Sequence, residues 1–123
     1  ELAALCSELW EYQMKTYPTW STQMGDGRYD GKLFDNSARG ERMRKEALRD
    51  FQADLADIDR DDLVPQDQLT YDLVRRKLRV DLEREAFALD EWNVNARGGP
   101  QVRFLSLAAD QPVLTPKQRA DYL

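Results

Sequence analysis

The chain has 123 residues, 41% of them hydrophobic and 33% charged, with a formal net charge of -5 at pH 7. That length suits one domain, or part of one, with enough chain to bury a core, and the high charge fits amphipathic helices with solvated outer faces. The acidic balance argues against nucleic acid as the main partner, no apolar run approaches a membrane span, and the absence of any histidine removes the commonest general base and metal ligand.

Leu2, Leu5, Cys6, Leu9 and Trp10 have helical spacing, which predicts a first helix over 2–17. Pro18 ends it and opens a short second helix over 18–24. Residues 20–35 then read WSTQMGDGRYDGKLFD, a turn region crowded with glycine, aspartate and aromatic residues. Ser37 is a plausible cap for a third helix over 37–59, with Met43, Ala47, Leu48, Phe51, Leu55 and Ile58 as its apolar stripe. Pro65 fits the first turn of a fourth helix over 65–90, whose stripe is Tyr71, Val74, Leu78, Leu82, Ala86 and Leu89. The short link between these two helices predicts an antiparallel hairpin, with the first helix completing a three-helix layer. Asn93 to Gln101, with Gly98-Gly99-Pro100, reads as loop, Val102 to Leu107 as a short strand or irregular segment, and Ala108 to Leu114 as connection. Thr115-Pro116-Lys117-Gln118 reads as the start of a helix over 115–123, with a capping box between Thr115 and Gln118. The fold class is therefore all-α: an antiparallel helical layer with an irregular Gly/Asp-rich loop. Both ends interrupt a helical pattern, so the natural protein is expected to continue as a larger, mainly helical one.

The loop holds the main candidates for chemistry. Arg28 offers a planar fork for carboxylates, and Tyr29 can donate a hydrogen bond to an oxyanion. The reading the residues themselves favour is a buried bridge from Arg28 to an aspartate that fastens the loop to the helices. Gly25 and Gly27 permit unusual backbone angles, and Asp26 and Asp30 can cap turns. Asp26, Asp30 and Asp35 lack the ligand spacing of an EF-hand. The basic runs Arg39, Arg42, Arg44, Lys45 and Arg49, and Arg75, Arg76, Lys77 and Arg79, read as solvated faces, with Asp72–Arg76, Lys77–Asp81 and Arg79–Glu83 as pairs four residues apart. Trp10, Trp20 and Trp92 read as core, and Cys6, with no histidine to activate it, as an apolar stripe residue rather than a nucleophile.

Taken in order, several motifs carry a resemblance. They are Trp10-Glu11-Tyr12, Tyr17-Pro18, Gly25-Asp26-Gly27-Arg28-Tyr29-Asp30, Leu55-Ala56-Asp57-Ile58-Asp59, Asp67-Gln68-Leu69-Thr70-Tyr71-Asp72-Leu73, Arg75-Arg76, Gly99-Pro100-Gln101 and Tyr122-Leu123. The series resembles the amino-terminal part of the bacterial family called "domain of unknown function 885", over nearly the whole chain. Members are longer, mostly helical, and often exported or lipid-anchored. Their later part carries a motif like His-Glu-x-x-Pro-Gly-His-His, similar to that of zinc peptidases, where histidines hold the metal and a glutamate activates water.

The resemblance implies a zinc-dependent, peptidase-like hydrolase as the parent, with its zinc in the carboxy-terminal part and no metal or cofactor here. This chain would be a helical wall or lid beside a substrate channel, not catalytic on its own. Its partners would be the remainder of its own chain and a peptide substrate, with no nucleic acid and no membrane span. Arg28, Tyr29, Asp30 and Gln101 are the expected substrate-binding or cleft-bracing residues, and Gly25, Asp26, Gly99 and Pro100 the structural loop residues. Gly27 stands where the family pattern tolerates a larger residue, which is expected to loosen the loop. The alternative is a helical protein-interaction module without enzymatic activity, presenting a groove or apolar patch to a partner.

Overall fold

A computed structural model describes residues 1–87, 96 and 99–122. The fold is all-α, with six helices among the described residues: α1 (Leu2–Thr16), α2 (Pro18–Gln23), α3 (Ala38–Ala56), α4 (Pro65–Ala86), α5 (Pro100–Asp110) and α6 (Pro116–Tyr122). Two 3₁₀ turns, Gly27–Tyr29 and Arg60–Asp62, precede α3 and α4. The chain divides into two compact units, Glu1–Trp10 with Asn36–Leu89, and Glu11–Asp35 with Asp90–Leu123. The predicted positions of Leu89, Trp92 and most of the Asn93–Gln101 loop lie outside the described residues.

The first unit is built on the α3–α4 hairpin. Ser37 caps α3, its hydroxyl accepting from the Gly40 N–H at 3.1 Å. Leu48, Leu55, Ile58, Tyr71 and Leu78 are buried, as are Leu2, Leu5 and Leu9 from the start of α1. Burying each such leucine contributes about 2 kcal/mol of transfer free energy, so a handful of side chains carries most of the hydrophobic stabilisation here. Between the helices, Arg60 forks onto Asp72, with Nε–Oδ1 at 3.0 Å and the second nitrogen to Oδ2 at 2.8 Å. That fork ties the second 3₁₀ turn to the first turns of α4.

The α3 stripe is rotated at its amino-terminal end from the predicted one. Met43 is 55% exposed, whereas Arg44, read from the sequence as part of a basic run, is 6% exposed. The reason is electrostatic. Arg44 Nε donates to Glu85 Oε1 at 3.0 Å, so a charge pair late in α4 draws the early turns of α3 around. The pair also fixes the antiparallel register, since it joins the start of one helix to the end of the other. Trp10, expected in the core, is 47% exposed, and Trp20 is half-buried.

In the second unit the segment Val102–Leu107 is neither strand nor irregular: it lies inside α5. Gly99 is the cap residue, its carbonyl accepting from the Val102 N–H at 2.9 Å, and Pro100 takes the first turn, where a missing N–H costs nothing. A single β-branched residue did not outweigh that start signal. Gln23 Nε2 donates to Asp110 Oδ2 at 2.9 Å, joining α2 to the end of α5. At α6, Gln118 Oε1 accepts from the Thr115 N–H at 3.0 Å and Thr115 Oγ1 accepts from the Gln118 N–H at 3.2 Å, a reciprocal capping box.

Replacing Arg44 by Ala leaves Glu85 in a nearly dry site without its partner, and should lower stability by about 3 kcal/mol. Replacing both residues together by Met and Leu should recover most of that loss. Urea denaturation followed by circular dichroism checks both outcomes.

Candidate functional site

The loop that follows α2 is closed by its own backbone and by buried hydroxyls. Ser21 is fully buried; its Oγ donates to the Asp26 carbonyl at 2.9 Å, and its own carbonyl accepts from the Asp26 N–H at 2.9 Å. Gly25, between them, has φ +87°, which disfavours any side chain. Beyond the turn, Tyr17 and Phe34 stack with ring centroids 5.3 Å apart.

Asp26 caps the first 3₁₀ turn, accepting from the Arg28 N–H at 3.1 Å. The Arg28 guanidinium then folds back. Its Nε lies 2.9 Å from both Asp26 carboxylate oxygens, and its two terminal nitrogens reach Glu11 Oε1 at 3.0 Å and Oε2 at 2.9 Å. Arg28 is thus clamped by two carboxylates, one from its own turn and one from α1. This is the loop-fastening role among the two the sequence left open, although the side chain is half exposed rather than buried. Tyr29 lies beside two cations, with Arg28 Cζ at 5.4 Å and Lys32 Nζ at 5.8 Å from the ring centroid. The Arg28 hydrogen bond holds the Asp26 carboxyl below the usual carboxylate range, and Asp26 followed by Glu11 raises Arg28 above the ordinary arginine value.

Asp30 is buried and turned elsewhere. Its Oδ1 accepts from the Thr22 hydroxyl at 2.6 Å, and its carbonyl accepts from Gln111 Nε2 at 3.3 Å. A Cβ on Gly27 would lie 2.9 Å from Asp30 Oδ2. The Asp30 carboxylate therefore lies over the space a side chain at this position would enter. A cavity of about 360 Å³ opens beside Asp30, with Thr22, Lys32, Gln111 and Asp121 as polar lining and Leu33, Phe104, Leu107 and Tyr122 as apolar lining. Asp121 also pairs with Lys117, whose pKa is raised mainly by that contact.

Of the four predicted site residues, Asp30 lines this cavity, Arg28 and Tyr29 sit on the clamped turn, and Gln101 lies exposed on the first turn of α5. Gly99 is the buried cap of that helix, so Gly99-Pro100 begins a helix rather than continuing a loop. Sequence reasoning missed Glu11, Thr22, Gln111 and Asp121. Glu11 stands in the Trp10-Glu11-Tyr12 motif, where its charge was a usable signal. Gln111 is 81 residues from Asp30, and no local pattern announces that bond.

The arrangement is a carboxylate-bearing, partly apolar cavity lining. It contains no histidine, and among the described residues no group of three His, Cys, Asp or Glu side chains is placed to hold a metal ion. Among the described residues no helix is long and apolar enough to cross a membrane.

The fold and the site define an all-α, histidine-free domain organised around a clamped Gly/Asp loop. The family described as "Bacterial protein of unknown function (DUF885)" matches over residues 18–123, and the chain belongs to that family. No curated protein and no solved structure matches it.

Two outcomes follow for the loop. Asp26 has a depressed pKa in the fold, so the clamp contributes fully above the unfolded carboxylate value of about 3.9 and weakens as pH falls through the lower folded value. Trp20 fluorescence should report loop loosening only in that acid range, and Asp26→Asn should abolish the transition. Gly25→Ala, forced into a positive φ, should cost about 1 kcal/mol in thermal denaturation.

Proposed function

We propose that these 123 residues form an amino-terminal helical, cleft-flanking region of a zinc-dependent, peptidase-like hydrolase. On this reading the zinc ligands lie in another part of the protein, and this region contributes no catalytic group. The carrying observation is family membership across residues 18–123; the hydrolase reading itself comes from the resemblance drawn from the sequence, in which a later motif is similar to that of zinc peptidases. The cavity beside Asp30 suits a binding wall: carboxylates can meet a peptide amine or a basic side chain, and Leu33, Phe104 and Leu107 can meet an apolar one. Arg28, engaged by Asp26 and Glu11, acts as a brace for that wall rather than as a substrate fork.

A second reading, a helical interaction module without enzymatic activity, draws on the apolar surface of α5, where Phe104 is 66% and Leu105 76% exposed. It expects these residues alone to be monomeric and to melt cooperatively, whereas a wall separated from its enzyme should aggregate or pack loosely.

The test is hydrolysis of a mixed peptide library by the full-length protein, with and without a strong chelator. The proposal expects cleavage that chelator abolishes and zinc restores. It also expects Arg28→Ala to lower catalytic efficiency several-fold without unfolding the protein. A folded, zinc-loaded protein that cleaves no peptide would overturn the hydrolase reading.

A further inference from the structure

The basic face of α4 differs from its sequence reading in one decisive respect. Asp72, the expected partner of Arg76, is held by both arms of the Arg60 fork. Among the described residues, Arg75 and Arg76 have no ion pair or side-chain hydrogen bond, and Arg79 reaches Glu83 only at 3.8 Å. These three arginines, with Asp72 and with Gln52 of α3, line a concavity of about 460 Å³ in the first unit.

We propose that this groove binds a phosphate-bearing anion. Arg75, Arg76 and Arg79, about one turn of α4, line the same groove, and a planar guanidinium fork matches a tetrahedral oxyanion through paired N–H donors. Gln52 supplies a neutral amide donor from the facing helix. The carboxylate in the groove, Asp72, is already offset by Arg60, so it does not cancel the field of the arginines. The net charge of -5 is no obstacle, because an anion at this distance senses the local arginines within about one Debye length, 8–10 Å. The site is separate from the Asp30 cavity and does not rest on the hydrolase reading.

The same chemistry could come from a free phosphate compound or from a lipid headgroup, and the two are distinguished by the probe. The full-length protein is titrated calorimetrically with inorganic phosphate and with pyrophosphate, against chloride at matched ionic strength. In parallel it is sedimented with vesicles containing anionic phospholipid and with purely zwitterionic vesicles. Binding of either phosphate compound, weakened about tenfold in the Arg75→Gln, Arg76→Gln double variant and partly retained in Arg76→Lys, supports the proposal with a soluble ligand. Selective sedimentation with anionic vesicles, lost in the same double variant, supports it with a headgroup as the source. Heats equal to those of chloride together with no vesicle binding would overturn it, as would binding unchanged in a double variant whose circular dichroism is native.

Discussion

The Arg28 guanidinium gives the Gly25–Asp35 loop its shape. It lies between the carboxylates of Asp26 and Glu11, so one side chain joins a tight turn to a long helix. Around that contact the remaining choices become constrained. Gly25 takes a positive φ where the chain reverses, a Cβ at Gly27 would press on the Asp30 carboxylate, and Thr22 meets Asp30 from α2. The polar side of the cavity follows from these local requirements.

Arginine recurs as the organising residue in both units, but its role depends on what the fold brings near it. Arg44 is drawn into the first unit by Glu85 and sets the pairing of α3 with α4. Arg60 holds a turn by forking onto Asp72. With Asp72 held by Arg60, Arg75 and Arg76 are left without an ion pair or side-chain hydrogen bond among the described residues, although the Asp72 charge still acts on Arg75. A chain with 18 basic and 23 acidic residues can settle into many pairings, and periodicity along one helix does not choose among them.

Local signals were legible where the physics is local. Ser37 and the Thr115–Gln118 box marked helix starts because capping needs only the next turn. The all-α class followed from stripes three and four residues apart. Two elements were not legible for the same underlying reason. Val102 to Leu107 read as a short strand or irregular segment because its apolar run is short, while part of what holds it as α5, the Gln23–Asp110 bond and the cavity lining, lies far away in sequence. Arg44 looked solvated because Glu85 is 41 residues distant. In the candidate site, the Arg28 brace was one of two readings open from its carboxylate-rich surroundings. The Asp30–Thr22–Gln111 arrangement depends on tertiary contact and had no sequence signature.

The clamped loop is a scaffold that holds the lining of the Asp30 cavity in place. The most direct measurement is hydrogen exchange at the backbone amides of Gly25–Asp35 in the native protein and in Arg28→Gln. The account predicts that protection across this loop falls sharply in the variant while α3 and α4 keep theirs. Unchanged protection in the loop would contradict it, because Arg28 would then not be the brace and its guanidinium would be available to a ligand.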